Sequence, residues 1–191
     1  WKSKSDIPKE YTGNCYAGGY ALEVKNGRIT WSKNMKTNKI TRPGSKKSTV
    51  KTKKLKGSYY KIISKSKRTV QYVKPVKKNI ISVTIPSSIK LNGKRYKVTG
   101  IAANAFKNCK KLKKVTIGIN VNSIGKRAFY GCSKLQTIKV KTSKLTGSRV
   151  GKQAFKGLNK KAVIKVPKKQ LKAYKRLFRV KGVGKKVTIK K

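Results

Sequence analysis

The chain has 191 residues and carries 54 lysine and arginine side chains against three acids, which gives a formal net charge of +51 at pH 7. The acids, Asp6, Glu10 and Glu23, all lie near the N-terminus, and the chain contains no histidine. The composition therefore lacks the bases and ligands that paired-carboxylate, Ser–His and Cys–His catalysis and most zinc sites require. We expect a protein that is not an enzyme and needs neither a metal nor a cofactor.

The excess of lysine indicates a polyanionic partner. Lysine is a hydrated point charge that suits diffuse attraction, whereas arginine makes planar, bidentate contacts. The candidate partners are an anionic polysaccharide, a wall polymer such as teichoic acid, a host surface ligand such as a sulfated glycan, phospholipid headgroups and nucleic acid. No run approaches the roughly 20 apolar residues of a transmembrane segment. Because the chain starts at Trp1, we interpret it as a mature or excised fragment.

Residues 1–56 form a basic segment of their own. The stretches ALEV and RITW flank Asn26-Gly27, and this pattern predicts a β-hairpin. Lys33–Lys56 is polar, basic and weakly patterned, which is typical of a linker or extended arm. A small extra module, or a strand added to the next domain, is the other interpretation.

The second domain, residues 57–191, begins with a predicted β cap over residues 57–98. Gly57–Pro75 reads as two strands around the polar SKSKR, and Ile89–Val98 reads as a hairpin because Asn92-Gly93 suits a type I′ turn. Such a cap would keep the first coil of the following repeats from exposing its core.

Residues 99–166 contain an internal repeat. IAANAFKNCKKLKKVTI (Ile101–Ile117) aligns without a gap with IGKRAFYGCSKLQTIKV (Ile124–Val140), and VGKQAFKGLNKKAVIKV (Val150–Val166) is a third copy. The third copy has Lys161 where the others have leucine. We expect the recurring apolar residues to form one shared core: Phe106, Cys109, Leu112, Val115, Ile117, Phe129, Cys132, Leu135, Ile138, Val140, Phe155, Leu158, Ile164 and Val166.

Each copy ends in a V-x-I alternation, which is typical of a strand with one buried face. Stacked copies would place these strands side by side as a parallel ladder. The residues expected to point outward are Thr84, Thr116, Lys139, Lys165 and Thr188. As candidate polyanion-binding residues we take Lys114, Lys139, Lys141 and Lys165.

The pattern I-G-x-x-A-F-x-x-C-x-x-L-x-x-V/I-x-I/V resembles the BspA-like leucine-rich repeats of bacterial surface proteins, over roughly Val83–Val166. The resemblance implies an α+β repeat fold: a short leucine-rich-repeat solenoid with a parallel β ladder, an N-terminal β cap and a C-terminal helical cap. It also implies a secreted or surface-anchored bacterial protein, often adhesive. No catalytic residues come with the resemblance.

Residues 167–191 are predicted to form the C-terminal cap. Pro167 suits the first turn of a helix, Gly182 suits its end, and an apolar face lies between them. That face contains Leu171, Tyr174, Leu177 and Phe178. The closing KKVTIKK would add a last strand.

The cysteines allow two interpretations. Cys109 and Cys132 are either buried free thiols that fill the position of Leu158, or a disulfide between successive coils, which would require Cα atoms within about 7 Å. Buried free thiols are the favoured interpretation, because the third copy has Leu158 at this position, which keeps the side-chain volume but has no sulfur. Cys15 is either free or paired outside this chain.

These observations favour a non-catalytic extracellular module that binds an anionic wall polymer, a host glycan or a host protein. The alternatives are a nucleic-acid-binding basic protein and the anchoring tail of a larger secreted enzyme.

Overall fold

The computed structural model of this chain describes the backbone of residues 13–17, 20–25, 28–34 and 39–41, and all of residues 52–191. The chain divides into two compact units, Trp1–Thr49 and Val50–Lys191. This division falls upstream of the segment boundary predicted after residue 56, because Thr52–Leu55 pairs with Ser58–Ser64 of the second unit.

The first unit contains an antiparallel sheet in the order β1-β2-β3-β4. Its strands are β1 (Gly13–Ala17), β2 (Tyr20–Lys25), β3 (Arg28–Asn34) and β4 (Lys39–Thr41). Strands β2 and β3 form the hairpin predicted from the sequence, with Lys25 opposite Arg28. The strand pairing is confirmed, and the turn residues Asn26 and Gly27 lie outside the described residues.

The segment predicted as a linker contains two strands. Lys39–Thr41 pairs with β3, and β5 (Thr52–Leu55) pairs antiparallel with β6 (Ser58–Ser64). These strands correspond to the other interpretation of the segment, a small extra module or a strand added to the next domain. Both stretches are too polar and too short to show an alternating apolar pattern, so their pairing partners decide their structure.

The second unit consists mainly of strands, with one α-helix near its C-terminal end. After β5 and β6 these are β7 (Thr69–Pro75), β8 (Ser82–Ile85), β9 (Ser88–Leu91), β10 (Lys94–Ile101), β11 (Lys114–Ile117), β12 (Ser123–Ile124), β13 (Thr137–Val140), β14 (Val163–Lys165), α1 (Leu171–Val180) and β15 (Thr188–Lys190). A mixed sheet has the order β12-β10-β7-β6-β5, with β9 paired to β10, and a second sheet has the order β15-β14-β13-β11-β8.

Both hairpins predicted at the start of this unit are confirmed. Strands β6 and β7 pair antiparallel around SKSKR, and β9 pairs antiparallel with β10. Asn92 and Gly93 have φ angles of 49° and 73°. Positive φ at both central residues is what a type I′ turn requires.

The repeats stack as parallel coils around a column of aromatic rings. The ring centroids of Phe106 and Phe129 are 5.0 Å apart, and those of Phe129 and Phe155 are 5.4 Å apart, with interplanar angles of 5° and 9°. Tyr72 extends the column at one end and Phe178 at the other, at 5.1 and 5.0 Å. The V-x-I strands pair in parallel, so the predicted repeat architecture with a shared core is confirmed.

The third copy packs differently, as its sequence indicates. Lys161 is exposed, whereas the neighbouring Ala162 is fully buried. Leu158, at the position of the two cysteines, is partly buried against the core. The other residues expected in the shared core are all buried.

The predicted C-terminal helix is confirmed. A short 3-10 helix (Lys168–Gln170) follows Pro167 and leads into α1, and Gly182 has a φ of 100°. Tyr174 and Phe178 are buried, and the phenol of Tyr174 donates a hydrogen bond to the Thr142 carbonyl at 3.1 Å. The role of this helix and of the first hairpins as caps stays a prediction.

Candidate polyanion-binding face

The outer face of the parallel sheet carries lysines on successive strands. Because side chains of a strand alternate between its faces, the buried residues of each V-x-I run are flanked by outward-pointing ones. One register row crosses all five strands of the sheet and consists of Thr84, Thr116, Lys139, Lys165 and Lys190. We call Lys139, Lys165 and Lys190 the lysine row; all three side chains are exposed.

The lysine row places three like charges close together. Neighbouring strands lie about 4.8 Å apart, so the three Cα atoms follow one another at roughly this spacing. No Asp or Glu occurs after residue 23, so no carboxylate side chain in residues 52–191 neutralises these lysines. Within these residues the row is a group of positive charges without a carboxylate side chain beside it.

Of the four candidate lysines from the sequence, the structure brings two together. Lys139 and Lys165 are direct partners in the register of β13 and β14. Lys114 lies in the other outward row, where it pairs with Thr137. Lys141 follows the end of β13; its side chain is exposed, and its backbone N–H donates to the Ile117 carbonyl at 2.9 Å.

Lys190 is absent from the candidate residues, because the expected alignment of the last strand is two residues out of register. That alignment matches Thr188 with Thr116. In the structure Thr188 pairs with Val163 and Lys190 pairs with Lys165. An alignment of TIK (Thr188–Lys190) with the preceding VIK (Val163–Lys165) would have placed Lys190 in the same row as Lys165.

A second basic surface lies on the turns that contain the Ala-Phe pairs. Backbone hydrogen bonds join successive turns there. The N–H groups of Asn104, Phe106 and Asn108 donate to the carbonyl oxygens of Lys126, Ala128 and Tyr130, in that order, and the second turn donates to the third in the same way. These bonds align equivalent positions of the three copies. Asn104, Arg127 and Gln153 share one such position and have φ angles of 58°, 55° and 56°.

Arg127 is held in a defined orientation on this surface. Its Nε donates to the Gln153 Oε1 at 2.8 Å, and its Cζ lies 5.5 Å from the centroid of the Tyr130 ring. Both Arg127 and Tyr130 are half-buried. The sequence pattern gives no signal for Arg127, since the tether to Gln153 exists only once the coils stack.

The two cysteines of the repeats are free thiols in the core. Cys132 is fully buried, and its Sγ donates to the Phe106 carbonyl at 3.0 Å. Burial raises the pKa of Cys132 to about 12, and burial also raises the pKa of Cys109, against a smaller opposing effect of Lys78. The prediction of buried free thiols is confirmed, whereas the side chain of Cys15 lies outside the described residues.

Two kinds of functional element are absent from the part of the chain that the structure describes. Within it, no three His, Cys, Asp or Glu side chains come together as a metal site. No helix among the same residues is long and apolar enough to cross a membrane.

A family model for the BspA type leucine-rich repeat region matches residues 76–191 in six copies. The match includes the three copies recognised in the sequence and extends to the final strand. It confirms the resemblance on which the repeat interpretation rests. A comparison with curated proteins gives no match.

Solved structures of bacterial leucine-rich repeat proteins are similar to the chain at low identity. A leucine-rich cell surface protein from Faecalibacterium prausnitzii is 21% identical over 61% of this chain and 37% of its own, with a TM-score of 0.47. A leucine-rich repeat protein from Bacteroides ovatus is 23% identical over 59% and 36%, with a TM-score of 0.44. One from Bacteroides capillosus is 21% identical over 72% and 97%, with a TM-score of 0.49. The chain thus spans little more than a third of the first two proteins.

Proposed function

Because the chain belongs to the BspA-type leucine-rich repeat family, we propose that it is a non-catalytic, extracellular module of a bacterial surface. In this role it attaches to an anionic wall polymer or to an anionic host glycan or protein. The observation that carries the proposal is the lysine row, in which Lys139, Lys165 and Lys190 stand in register on adjacent strands.

Binding is electrostatic and multivalent. A flexible polyanion lying across the parallel sheet meets one ammonium group of the row on each of β13, β14 and β15, and Lys114 and Lys141 flank the row. Each contact displaces counterions from the polymer, so affinity falls steeply as salt rises. The net charge of +51 attracts the polymer from a distance and raises the rate of association.

The test is retention on isolated cell walls with and without teichoic acid. Between about 0.05 M and about 0.5 M NaCl, where the Debye length shortens severalfold, we expect retention of the wild-type protein to fall steeply. We also expect it to require the teichoic acid or another wall polyanion. Absent or salt-insensitive retention would contradict the proposal.

A matched pair of triple variants separates the lysine row from the general charge. One variant replaces Lys139, Lys165 and Lys190 with glutamine. The other makes the same change at the exposed Lys65, Lys94 and Lys186, which lie in the turn after β6, in β10 and in the turn before β15. Both lose the same charge. The row variant should elute at clearly lower salt than the scattered variant, and equal elution would show that the row has no special role.

Competition with heparin distinguishes a nucleic-acid-binding protein from the proposed surface module. In a gel shift, the surface module should release DNA or RNA to heparin of equal charge. A complex with nucleic acid that survives this competition would favour the nucleic-acid function instead.

A further inference from the structure

We propose that Arg127 and Tyr130 form a specific site for an acidic sugar unit, whose carboxylate or sulfate oxygens bind the Arg127 guanidinium. The site is separate from the lysine row, because it lies on the turns with the Ala-Phe pairs rather than on the parallel sheet. The site rests on the proposed function only for the class of ligand, an anionic glycan. It adds to that function a specific contact with one sugar unit.

Arg127 differs from the surrounding lysines in being positioned before any ligand arrives. The hydrogen bond from its Nε to Gln153 and the cation–π contact with Tyr130 hold the guanidinium at two places. A long basic side chain normally loses rotamer freedom when it binds, and this loss weakens affinity. In Arg127 the folded coils already impose that order.

The tether leaves the binding edge of the guanidinium open. Since Nε is engaged with Gln153, the ligand must approach the Nη1 and Nη2 groups, neither of which has a hydrogen-bonding partner among the described residues. These two groups present parallel N–H donors that match a pair of anionic oxygens. An uncharged sugar cannot use this fork equally well.

The neighbouring coils extend the site along a polymer. The position of Tyr130 is taken by Lys107 in the preceding coil and by Lys156 in the following one, and both lysines are exposed. Successive coils are about one aromatic stacking distance apart, 5.0 Å between the Phe106 and Phe129 rings. Further acidic groups of a glycan that runs along the stack therefore meet a cation on each side of Arg127.

The arrangement favours a sugar over a nucleic acid. Sequence-independent binding of single strands relies on aromatic rings whose faces accept stacked bases. The guanidinium of Arg127 already lies over the Tyr130 ring, and the ring is half-buried. What remains is the guanidinium fork, which suits the carboxylate or sulfate group of an acidic sugar.

The experiment measures binding of tetragalacturonate, a sulfated tetrasaccharide and a neutral galactose tetrasaccharide by calorimetry. At about 0.5 M NaCl diffuse attraction is largely screened, so the site itself dominates. Arg127→Lys keeps the charge and removes the fork, and Arg149→Lys makes the same change at an exposed arginine. We expect R127K to bind at least one acidic sugar about tenfold more weakly and R149K to bind it as the wild type does. The loss of one hydrogen bond to a charged group lowers affinity about tenfold or more.

A second variant guards against a folding defect in R127K. Gln153→Ala retains the arginine but releases its Nε, so the same ligand should bind more weakly although thermal unfolding is unchanged. Equal binding by wild type and R127K, binding of the neutral sugar to the same extent, or no acidic sugar bound would overturn the site. An equally charged oligonucleotide that depends more strongly on Arg127 would also overturn it.

These outcomes are independent of the test of the lysine row. If R127K binds like the wild type while wall retention still depends on the row, the sugar site is refuted and the proposed function stands. If Arg127 governs sugar binding while wall retention is absent or insensitive to salt, the proposed function is refuted and the sugar site stands.

Discussion

The thiol of Cys132 shows what the repeated cysteine position requires. The side chain is fully buried, and its thiol donates a hydrogen bond to the Phe106 carbonyl of the preceding coil. Leu158 fills the equivalent position in the third copy with no polar group at all. The position therefore requires a side chain of suitable volume, and the sulfur adds a weak hydrogen bond between coils.

Because the thiol stays protonated in the folded protein, Cys132 should make stability fall at alkaline pH. Its pKa is raised by burial from 9.0 to about 12. Between these values the unfolded chain loses the thiol proton while the folded chain keeps it, so the free energy of unfolding declines by up to about 1.4 kcal/mol per pH unit. Below pH 9 both states keep the proton and the contribution is constant.

The measurement is urea denaturation of the wild type and of Cys132→Ala at a series of pH values. Titration of the lysines affects both proteins, so the difference between their unfolding free energies isolates the thiol. This difference should shrink steadily above pH 9. A difference that is constant up to pH 11 would show that the Cys132 thiol ionises as readily in the folded protein as in the unfolded chain, and would contradict the prediction.

At the scale of the elements, two glycines allow successive coils to approach one another. A Cβ built on Gly125 would lie 2.3 Å from the backbone nitrogen of Ala103, and one on Gly151 would lie 2.3 Å from that of Lys126. The neighbouring atoms belong to backbone that takes part in the stack, so they cannot easily move aside. The glycine after Ile124 and Val150 is thus a requirement of coil spacing.

Gly125→Ala should therefore destabilise the protein, whereas Gly147→Ala should not. The first substitution forces two coils apart, and overpacking of this kind costs about 1–3 kcal/mol or more. A Cβ added to Gly147, which lies in the loop before the third copy, would meet no atom within 4 Å. Urea denaturation checks both variants, and a similar midpoint for the two would contradict the spacing argument.

The strands of the repeats could be predicted from sequence because the same apolar pattern recurs in each copy. Strands β4 and β5 could not, since their few residues are polar and only pairing with a neighbour makes them strands. The candidate site follows the same rule. Outward alternation identified Lys139 and Lys165, but Lys190 depended on register and Arg127 on a side-chain tether between two coils.

At the scale of the whole molecule, a net charge of +51 opposes the compact state. Like charges repel one another in the folded protein more than in the expanded chain. The aromatic column and the apolar strands, with apolar residues at 36% of the chain, supply the opposing stabilisation. The absence of acids in the sequence after residue 23 means that solution ions must do the screening.

Added salt should therefore raise the melting temperature, with the largest rise at low ionic strength. Between about 0.01 M and about 0.15 M NaCl the Debye length falls from about 30 Å to about 8 Å, and repulsion between exposed lysines weakens accordingly. Calorimetry or circular dichroism measures the shift. Protein whose lysines have been acetylated should respond much less, and a melting temperature that is flat or falls with salt would contradict the argument.

The position shared by Asn104, Arg127 and Gln153 has one backbone conformation and three different side chains. Hydrogen bonds of the backbone fix that conformation, so the identity of the side chain is not needed to define the coil. Natural variation can accordingly act on this position one residue at a time while the aromatic column is retained. Divergent descendants of such a repeat could exchange one ligand for another without first having to evolve a new scaffold.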